Sequence, residues 1–479
     1  MFKGISILLD SYFESQIVGR LWLAILLCDM HGSSATKDGP RVQSQAAARP
    51  LNTVLPPLIL GTATFNTQYV EDPLSMPYQR IVSRAISLGV NAFDTSPYYG
   101  PSELLLGTAL AALTDPVPTA DNPSPPRLNR DSYFLITKAG RIAGDEFDYS
   151  PAYIRYSVLR SLQRLRTPHL DLVYTHDVEF VSPAEVLAAV LELRRLRDED
   201  GIVRYVGISG YPVGVLCELA EMIHRETGEG LDAVLSYGHF TVQNRSLGMP
   251  QIEGVWDDAT SPLARFKASG VGVVLNASML GMGLLTSSGI PPDPETPLAN
   301  GPATMTSPLA KWHPSPSALR IACKNLAELA SSVGERLEAV AIRWSLEEFA
   351  RVGAEADVSV YMNIPNSPAA KIGASVMGVS SVAELEDTVA EWRGVLDGMA
   401  SSLANRHDGG EGYGKARQKK ILDLVRDKMW PALGLWKDYS WASPGPGFVN
   451  SRKEEERGTV PSDDGIISSY EQAKGPARL

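Results

Sequence analysis

Residues 151–177 read PAYIRYSVLRSLQRLRTPHLDLVYTHD, and the reading of this stretch decides the fold. Positions 151–165 open on a proline, which suits the first turn of a helix, and carry apolar residues at helical spacing. A short break follows. Then LDLVYTHD, residues 170–177, runs apolar and ends in His176 and Asp177. A strand that is apolar without alternation is buried on both faces, as in a parallel sheet covered by helices.

Working outward, the same unit recurs. LILGTA (58–63), VNAFDT (90–95), YFLITKAG (133–140), RYVGISG (204–210), DAVLSYGH (232–239), VGVVLNAS (271–278) and ASVMGVSS (374–381) read as strands. Helical patterns separate or follow them, among them YQRIVSRAISLG (78–89), SELLLGTALAAL (102–113), PAEVLAAVLELRRLRDEDG (183–201), RLEAVAIRWSLEEF (336–349) and VAELEDTVAEWRGVL (382–396). About eight strand–helix units predict an α/β fold, a (β/α)8 TIM barrel with long loop insertions and terminal extensions. Periodicity alone leaves an open doubly wound sheet as the competitor. The first strand continues as LILGTATFN, without the GxGxxG of a Rossmann nucleotide site.

The chain has 479 residues, 44% of them apolar, and a formal net charge of −11. That charge argues against a nucleic-acid or anionic-membrane partner. Three scattered cysteines, Cys28, Cys217 and Cys323, give neither a disulfide framework nor zinc spacing, so no metal is expected and a reducing, cytoplasmic setting is. Residues 19–35 resemble a poor signal peptide or targeting segment, but the apolar run is interrupted by Asp29 and is too short to span a bilayer. Residues 1–54 are therefore read as a disordered extension or the product of an upstream start codon, 55–397 as the barrel, 398–442 as a helical extension without chemistry, and 443–479 as a disordered tail. Residues 114–132 and 291–317 are rich in Pro and Asp or Asn and read as inserted loops, the second a candidate lid or binding loop.

Active sites of such barrels gather at the C-terminal ends of the strands. Asp94, Lys138 and His176 each end an apolar run, and Tyr98 and Tyr99 follow Asp94. Ionisable groups there are costly unless paired. A lysine lowers the pKa of a nearby tyrosine, a carboxylate holds the lysine, and a histidine orients a substrate oxygen. The set predicts proton transfer at a carbonyl or hydroxyl oxygen, with Tyr99 as the acid–base and Asp94 as the anchor at the strand end. Taken singly, Asp94 serves equally as a turn cap, His176 as a satisfied core residue, and either tyrosine as a wall aromatic.

FDTSPYYG, LITKAG and LVYTHD resemble the tetrad motifs of the aldo-keto reductase family at Asp94, Tyr99, Lys138 and His176. The resemblance covers about 55–397. Within the family the chain is most similar to the branch of L-galactose dehydrogenase and fungal D-arabinose 1-dehydrogenase, through LGTATFN, SYGHFTVQN, GVGVVLNASMLGMGLLT and WHPSPSALRIACKNLAELA. It implies a nicotinamide cofactor across the barrel mouth. The matching positions are Ala63 and Thr64, Asp94, Ser209, then Ser278, Leu280, Gly281 and Gly283, then Ser380, Ser381, Glu384 and Asp387. Three positions depart from the family pattern: Gly210 where asparagine is common, Ala277 where a stacking tyrosine is common, and Asp387-Thr388 where Glu-Asn is common.

The helix following residue 381 offers Glu384, Glu386 and Asp387 and no base, so NAD is expected over NADP. The resemblance thus implies an NAD-dependent oxidation of the anomeric carbon of an aldose, of D-arabinose or L-galactose type, to the aldonolactone. Its alternatives are an NADPH-dependent aldehyde or ketone reductase and a non-catalytic cofactor-binding regulatory subunit. The expected partner is a small-molecule sugar, with neither nucleic acid nor membrane.

Overall fold

Eight short strands run parallel and close on themselves: β1 (Leu58–Gly61), β2 (Ala92–Asp94), β3 (Phe134–Ala139), β4 (Leu170–His176), β5 (Val203–Gly210), β6 (Ala233–Tyr237), β7 (Val273–Ala277) and, after an additional pair, β10 (Ala374–Gly378). β1 pairs with β2 on one side and β10 on the other, which closes the barrel and removes the open-sheet alternative. The computed structural model describes residues 49–118, 126–249, 261–293, 307–363, 369–404, 413–462 and 464–474. Residues 1–48, most of the expected N-terminal extension, lie outside the described residues.

The helices form where the sequence supplies a start signal and an apolar face. Ser150 caps Pro151–Leu165 by accepting from the Tyr153 amide, and Pro151 occupies the first turn, where its missing N–H costs nothing. Ser182 and Glu185 form a reciprocal capping box ahead of Pro183–Asp198. The helix Tyr78–Ser87 buries Ile81, Val82 and Ala85 and turns its polar residues outward.

Strand side chains alternate, so every second residue enters the barrel. Phe134 and Ile136 of β3, Leu172 and Tyr174 of β4, Leu235 of β6 and Leu275 of β7 fill the interior. Continuing each series by two residues gives Lys138, His176, Tyr237 and Ala277. In three of the four the apolar filling thus ends in a polar group at the C-terminal mouth, which is how the fold positions the site.

Four features depart from the sequence reading. The barrel begins before residue 55: Leu51 and Leu55 join the interior cluster from below, and the Tyr205 hydroxyl donates to the Arg49 carbonyl at 2.5 Å. β8 (Val360–Met362) and β9 (Ala370–Ile372) form an antiparallel pair that the pattern did not reveal, because each is only three residues long. Within the loop 291–317, residues 308–312 form a short helix; 294–306 lie outside the described residues, as do 119–125 of the first loop. The helix beginning at Val382 runs to Ala404, past the expected boundary at 397.

The expectation of disorder from 443 is also corrected for residues 443–460. Asn450 exchanges two hydrogen bonds with the backbone of Phe147, at 3.0 and 2.9 Å. The carboxylate of Asp148 accepts from Arg452 and from the Gly458 amide, each at 2.8 Å. This segment satisfies its polar groups against loops of the barrel, so it needs neither helical nor strand periodicity. A second unit contains the helix Ile466–Lys474. No described helix is long and apolar enough to cross a membrane.

Candidate active site

The three strand-end residues converge with Tyr99, which lies in the turn after β2. Lys138 Nζ donates to Asp94 Oδ1 at 2.5 Å and to the Thr95 carbonyl at 3.0 Å. The same ammonium lies 4.9 Å from the centre of the Tyr99 ring. The His176 ring meets the Tyr99 ring edge-on at 5.6 Å. Asp94, Lys138 and His176 are all buried, and with Tyr99 they line one cavity of about 870 Å³. That volume lies in the range of small-molecule and cofactor sites.

Burial and charge act on each group. Burial would drive the Lys138 ammonium to lose its proton, but Asp94 and Tyr99 overcome it, and its pKa is raised. Burial lifts the Asp94 carboxyl against the opposing pull of Lys138. Tyr99 departs from the expected lowering. Burial pushes its hydroxyl up to about 12 although Lys138 pulls it down. The resting group is therefore a neutral phenol, and the ammonium reduces the cost of the phenolate without making it the major form. Burial first, then Lys138 and Arg141, hold His176 well below the ordinary histidine value, so it is neutral.

Ser96 holds the His176 ring. Its Oγ accepts from the Tyr98 amide at 3.1 Å and lies 2.9 Å from His176 Nδ1. When the serine donates to Nδ1, the imidazole proton sits on Nε2. The Tyr149 hydroxyl donates to the His176 carbonyl at 2.6 Å and fixes the strand end.

Several lining residues escaped the sequence reading. Arg141 lies over the Tyr98 ring at 3.8 Å, donates to its hydroxyl at 3.1 Å and pairs with Asp177. Asp177 adopts a left-handed backbone, φ 58°, immediately after β4. Glu179 is pushed up to about 8 by burial, with the Asp177 charge adding to it. It accepts from the Tyr211 amide and the Ser443 hydroxyl. Trp441 lines the cavity and stacks on Tyr211 at 4.7 Å. The segment bearing it is held by SYGHFTVQN and the next residue: Gln243 donates to the Trp436 and Tyr439 carbonyls, and Arg245 grips Asp438. The helical extension thus contributes a wall of the site. The one available signal was the quoted motif, whose polar residues had no assigned task.

Most of the positions expected to meet a cofactor line the same cavity: Ala63, Thr64, Asp94, Ser209, Ser278, Leu280, Gly283, Ser380, Glu384 and Asp387. Gly281 and Ser381 do not. Ser381 Oγ instead accepts from the Glu384 amide at 3.2 Å, at the start of the helix. Two of the departures have local context. A Cβ at Gly210 would lie 2.5 Å from Glu179 Oε2, so a side chain there would have to displace the Glu179 carboxylate. Ala277 lines the cavity as a small residue, beside Tyr237 of the neighbouring strand.

The residues present fit a nicotinamide dinucleotide. Ser278, Met282 and Gly283 line the cavity with positive φ, a tight loop backbone that a pyrophosphate can approach closely. Serine hydroxyls and carboxylates farther along suit ribose hydroxyls. The acidic helix needs correction, however. Glu386 faces away from the cavity and pairs with Arg84 at 2.7 Å. Glu384 accepts from the Ser380 amide at 2.7 Å. Asp387 pairs with Arg336 at 2.5 Å, and Arg336 itself lines the cavity. A base is therefore present, supplied by the residue preceding the helix Leu337–Glu355. Among the described residues no cluster of three or more His, Cys, Asp or Glu could hold a metal ion.

The chain is similar to several known proteins. A family model described as "Aldo/keto reductase family" matches residues 57–402. D-arabinose 1-dehydrogenase of Saccharomyces cerevisiae is 44% identical over 233 residues, 48% of this chain and 63% of that protein, so the match spans less than two thirds of the relative. L-galactose dehydrogenase of Arabidopsis thaliana is 30% identical over 311 residues, 64% of this chain and 76% of that protein. A glycerol dehydrogenase structure from Gluconobacter oxydans aligns with a TM-score of 0.45 at 21% identity, covering 76% of this chain and 98% of that one.

Proposed function

The chain belongs to the aldo/keto reductase family, and from that premise we propose that it oxidises the anomeric carbon of an aldose to the aldonolactone with NAD as the oxidant. The observation that carries the reading is the buried Lys138–Asp94 pair at 2.5 Å, with the ammonium 4.9 Å from the Tyr99 ring and His176 at that ring's edge.

The names of the two relatives narrow the substrate. D-arabinose and L-galactose have the same configuration at C2, C3 and C4, and as pyranoses they differ by one hydroxymethyl group. A site that reads those shared hydroxyls serves both, so we place the substrate in this stereochemical class. The acid-rich lining formed by Glu338, Glu384, Asp387 and Glu391 supports NAD, with Arg336 opposing Asp387 and Arg417 opposing Glu391. The two cysteines among the described residues are free and buried, in keeping with a cytoplasmic setting.

In the proposed mechanism a bound nicotinamide supplies the two-electron acceptor. The protein does the proton chemistry. His176 Nε2–H donates to the anomeric oxygen and orients it against Tyr99. Tyr99 removes the proton from that oxygen as C1 is oxidised. Lys138, held by Asp94 and the Thr95 carbonyl, stabilises the phenolate that this requires. Phe180, Trp312 and Trp441 wall the cavity with apolar surface and keep water from the reacting oxygen.

The test is the purified chain with NAD or NADP and D-arabinose or L-galactose, following the absorbance of the reduced nicotinamide. Turnover of both sugars with NAD preferred is the expected result. Bound cofactor without turnover of either sugar, or turnover confined to simple aldehydes with NADPH, contradicts the reading.

A further inference from the structure

Tyr98 is the unexplained tyrosine of the pair. Its ring stands 5.8 Å from that of His176 and 6.2 Å from that of Tyr99, and it lines the same cavity. Its hydroxyl receives two hydrogen bonds. Gln68 Nε2 donates at 3.1 Å, and Arg141 donates at 3.1 Å. The donor assignments are secure on chemical grounds. A guanidinium cannot accept. Gln68 Oε1 is occupied by the Asn66 amide group at 3.1 Å, which directs Nε2 toward Tyr98.

A phenolic oxygen has two lone pairs and one proton. With both lone pairs engaged, Tyr98 has only its proton left to offer, and no acceptor for it is present among the described residues. We infer that Tyr98 determines substrate specificity by donating this hydrogen bond to the C2 hydroxyl of the aldose, with Gln68 and Arg141 as positioning residues. The inference deepens the proposed function and rests on it.

C2 is the appropriate neighbour. Two oxygens flank the reacting carbon, the ring oxygen and the C2 hydroxyl. The ring oxygen must release electron density toward C1 as the lactone forms, so a donor placed on it would oppose the reaction. A donor on the C2 hydroxyl carries no such penalty. It also explains how one site could accept two sugars that share the C2 configuration. Tyr98 would then act beside the reaction, while Tyr99 acts in it.

The experiment compares kcat/KM for D-arabinose with that for 2-deoxy-D-ribose, which is D-arabinose without the C2 hydroxyl. Wild type, Tyr98→Phe and Gln68→Met are measured, with Tm recorded for each. The expected result is a wild-type preference for D-arabinose that falls about tenfold in Tyr98→Phe, the worth of one buried hydrogen bond of about 1.4 kcal/mol. The preference falls by a smaller factor in Gln68→Met, which keeps the phenol but releases one of its guides. A merely structural role would lower both sugars in proportion and leave the ratio unmoved. An unmoved ratio in Tyr98→Phe, with wild type active on D-arabinose, overturns the inference and leaves the functional reading standing. A wild-type chain inactive on D-arabinose and L-galactose overturns both.

Discussion

The Lys138 ammonium lies 2.5 Å from the Asp94 carboxylate, and both side chains are almost wholly buried at the ends of neighbouring strands. Buried pairs of this kind are costly to break, because the remaining group is left in a poor solvent. Lys138→Met is expected to lower Tm, with a destabilisation on the order of 3 kcal/mol that shrinks as Asp94 takes up a proton. The substitution also removes the one influence that pulls the Tyr99 pKa down. The rising limb of the oxidation pH–rate profile therefore moves to higher pH. A slowed variant with an unchanged profile would make Lys138 a purely structural residue.

Cofactor choice turns on Asp387 and Arg336. While they are paired, the arginine is held by a carboxylate, and an incoming 2′-phosphate meets both charges. Asp387→Ser frees the guanidinium and removes one repelling charge. Each such interaction at a screened separation amounts to about 0.5–1 kcal/mol. The ratio of Kd for NADP to Kd for NAD, read from tryptophan fluorescence quenching, is expected to fall about tenfold in Asp387→Ser. No change in the ratio would remove this pair from the account.

Glu179 provides a pH test of stability. Its folded carboxyl titrates at about 8 against an ordinary 4.5. Between those values the folded chain holds a proton that the unfolded chain has released, so its contribution to stability falls as pH rises from about 4.5 to about 8 and is level above. Glu179→Gln cannot titrate. The Tm of the variant is expected to gain on wild type across that interval and to hold a constant difference beyond it. Parallel Tm curves would show that Glu179 does not titrate there.

Trp441 tests the C-terminal wall. It closes the cavity from a segment anchored through Gln243, Asn244 and Arg245. Trp441→Ala is expected to raise KM for the sugar by tenfold or so, the worth of a lost aromatic contact. Kd for NAD is expected to stay within about twofold, since the account places Trp441 against the sugar. Equal weakening of sugar and cofactor would indicate a general loss of the cavity.

The barrel and the tetrad were legible because they leave local marks. A strand buried on both faces must be apolar throughout, and an ionisable residue at its end stands out. Asp94, Lys138 and His176 each do so. Arg336 leaves no such mark. It precedes a helix and reaches the cofactor side only by packing against Asp387, far along the chain. Trp441 and the 443–460 segment lack periodicity because their polar groups are satisfied one by one, by Glu179, Phe147 and Asp148. The Tyr99 pKa also escaped, since the Lys138 neighbour is visible in sequence order but the degree of burial is not.

The most direct measurement of the central claim is aldose oxidation by wild type and Tyr99→Phe, each shown to be folded by circular dichroism and Tm. The substitution removes one hydroxyl and keeps the ring against His176 and Lys138. The account predicts that NAD reduction in the presence of D-arabinose falls by about 10²–10⁴-fold, the usual worth of acid–base catalysis, while the fold and cofactor binding persist. Turnover by Tyr99→Phe within a few-fold of wild type would contradict it.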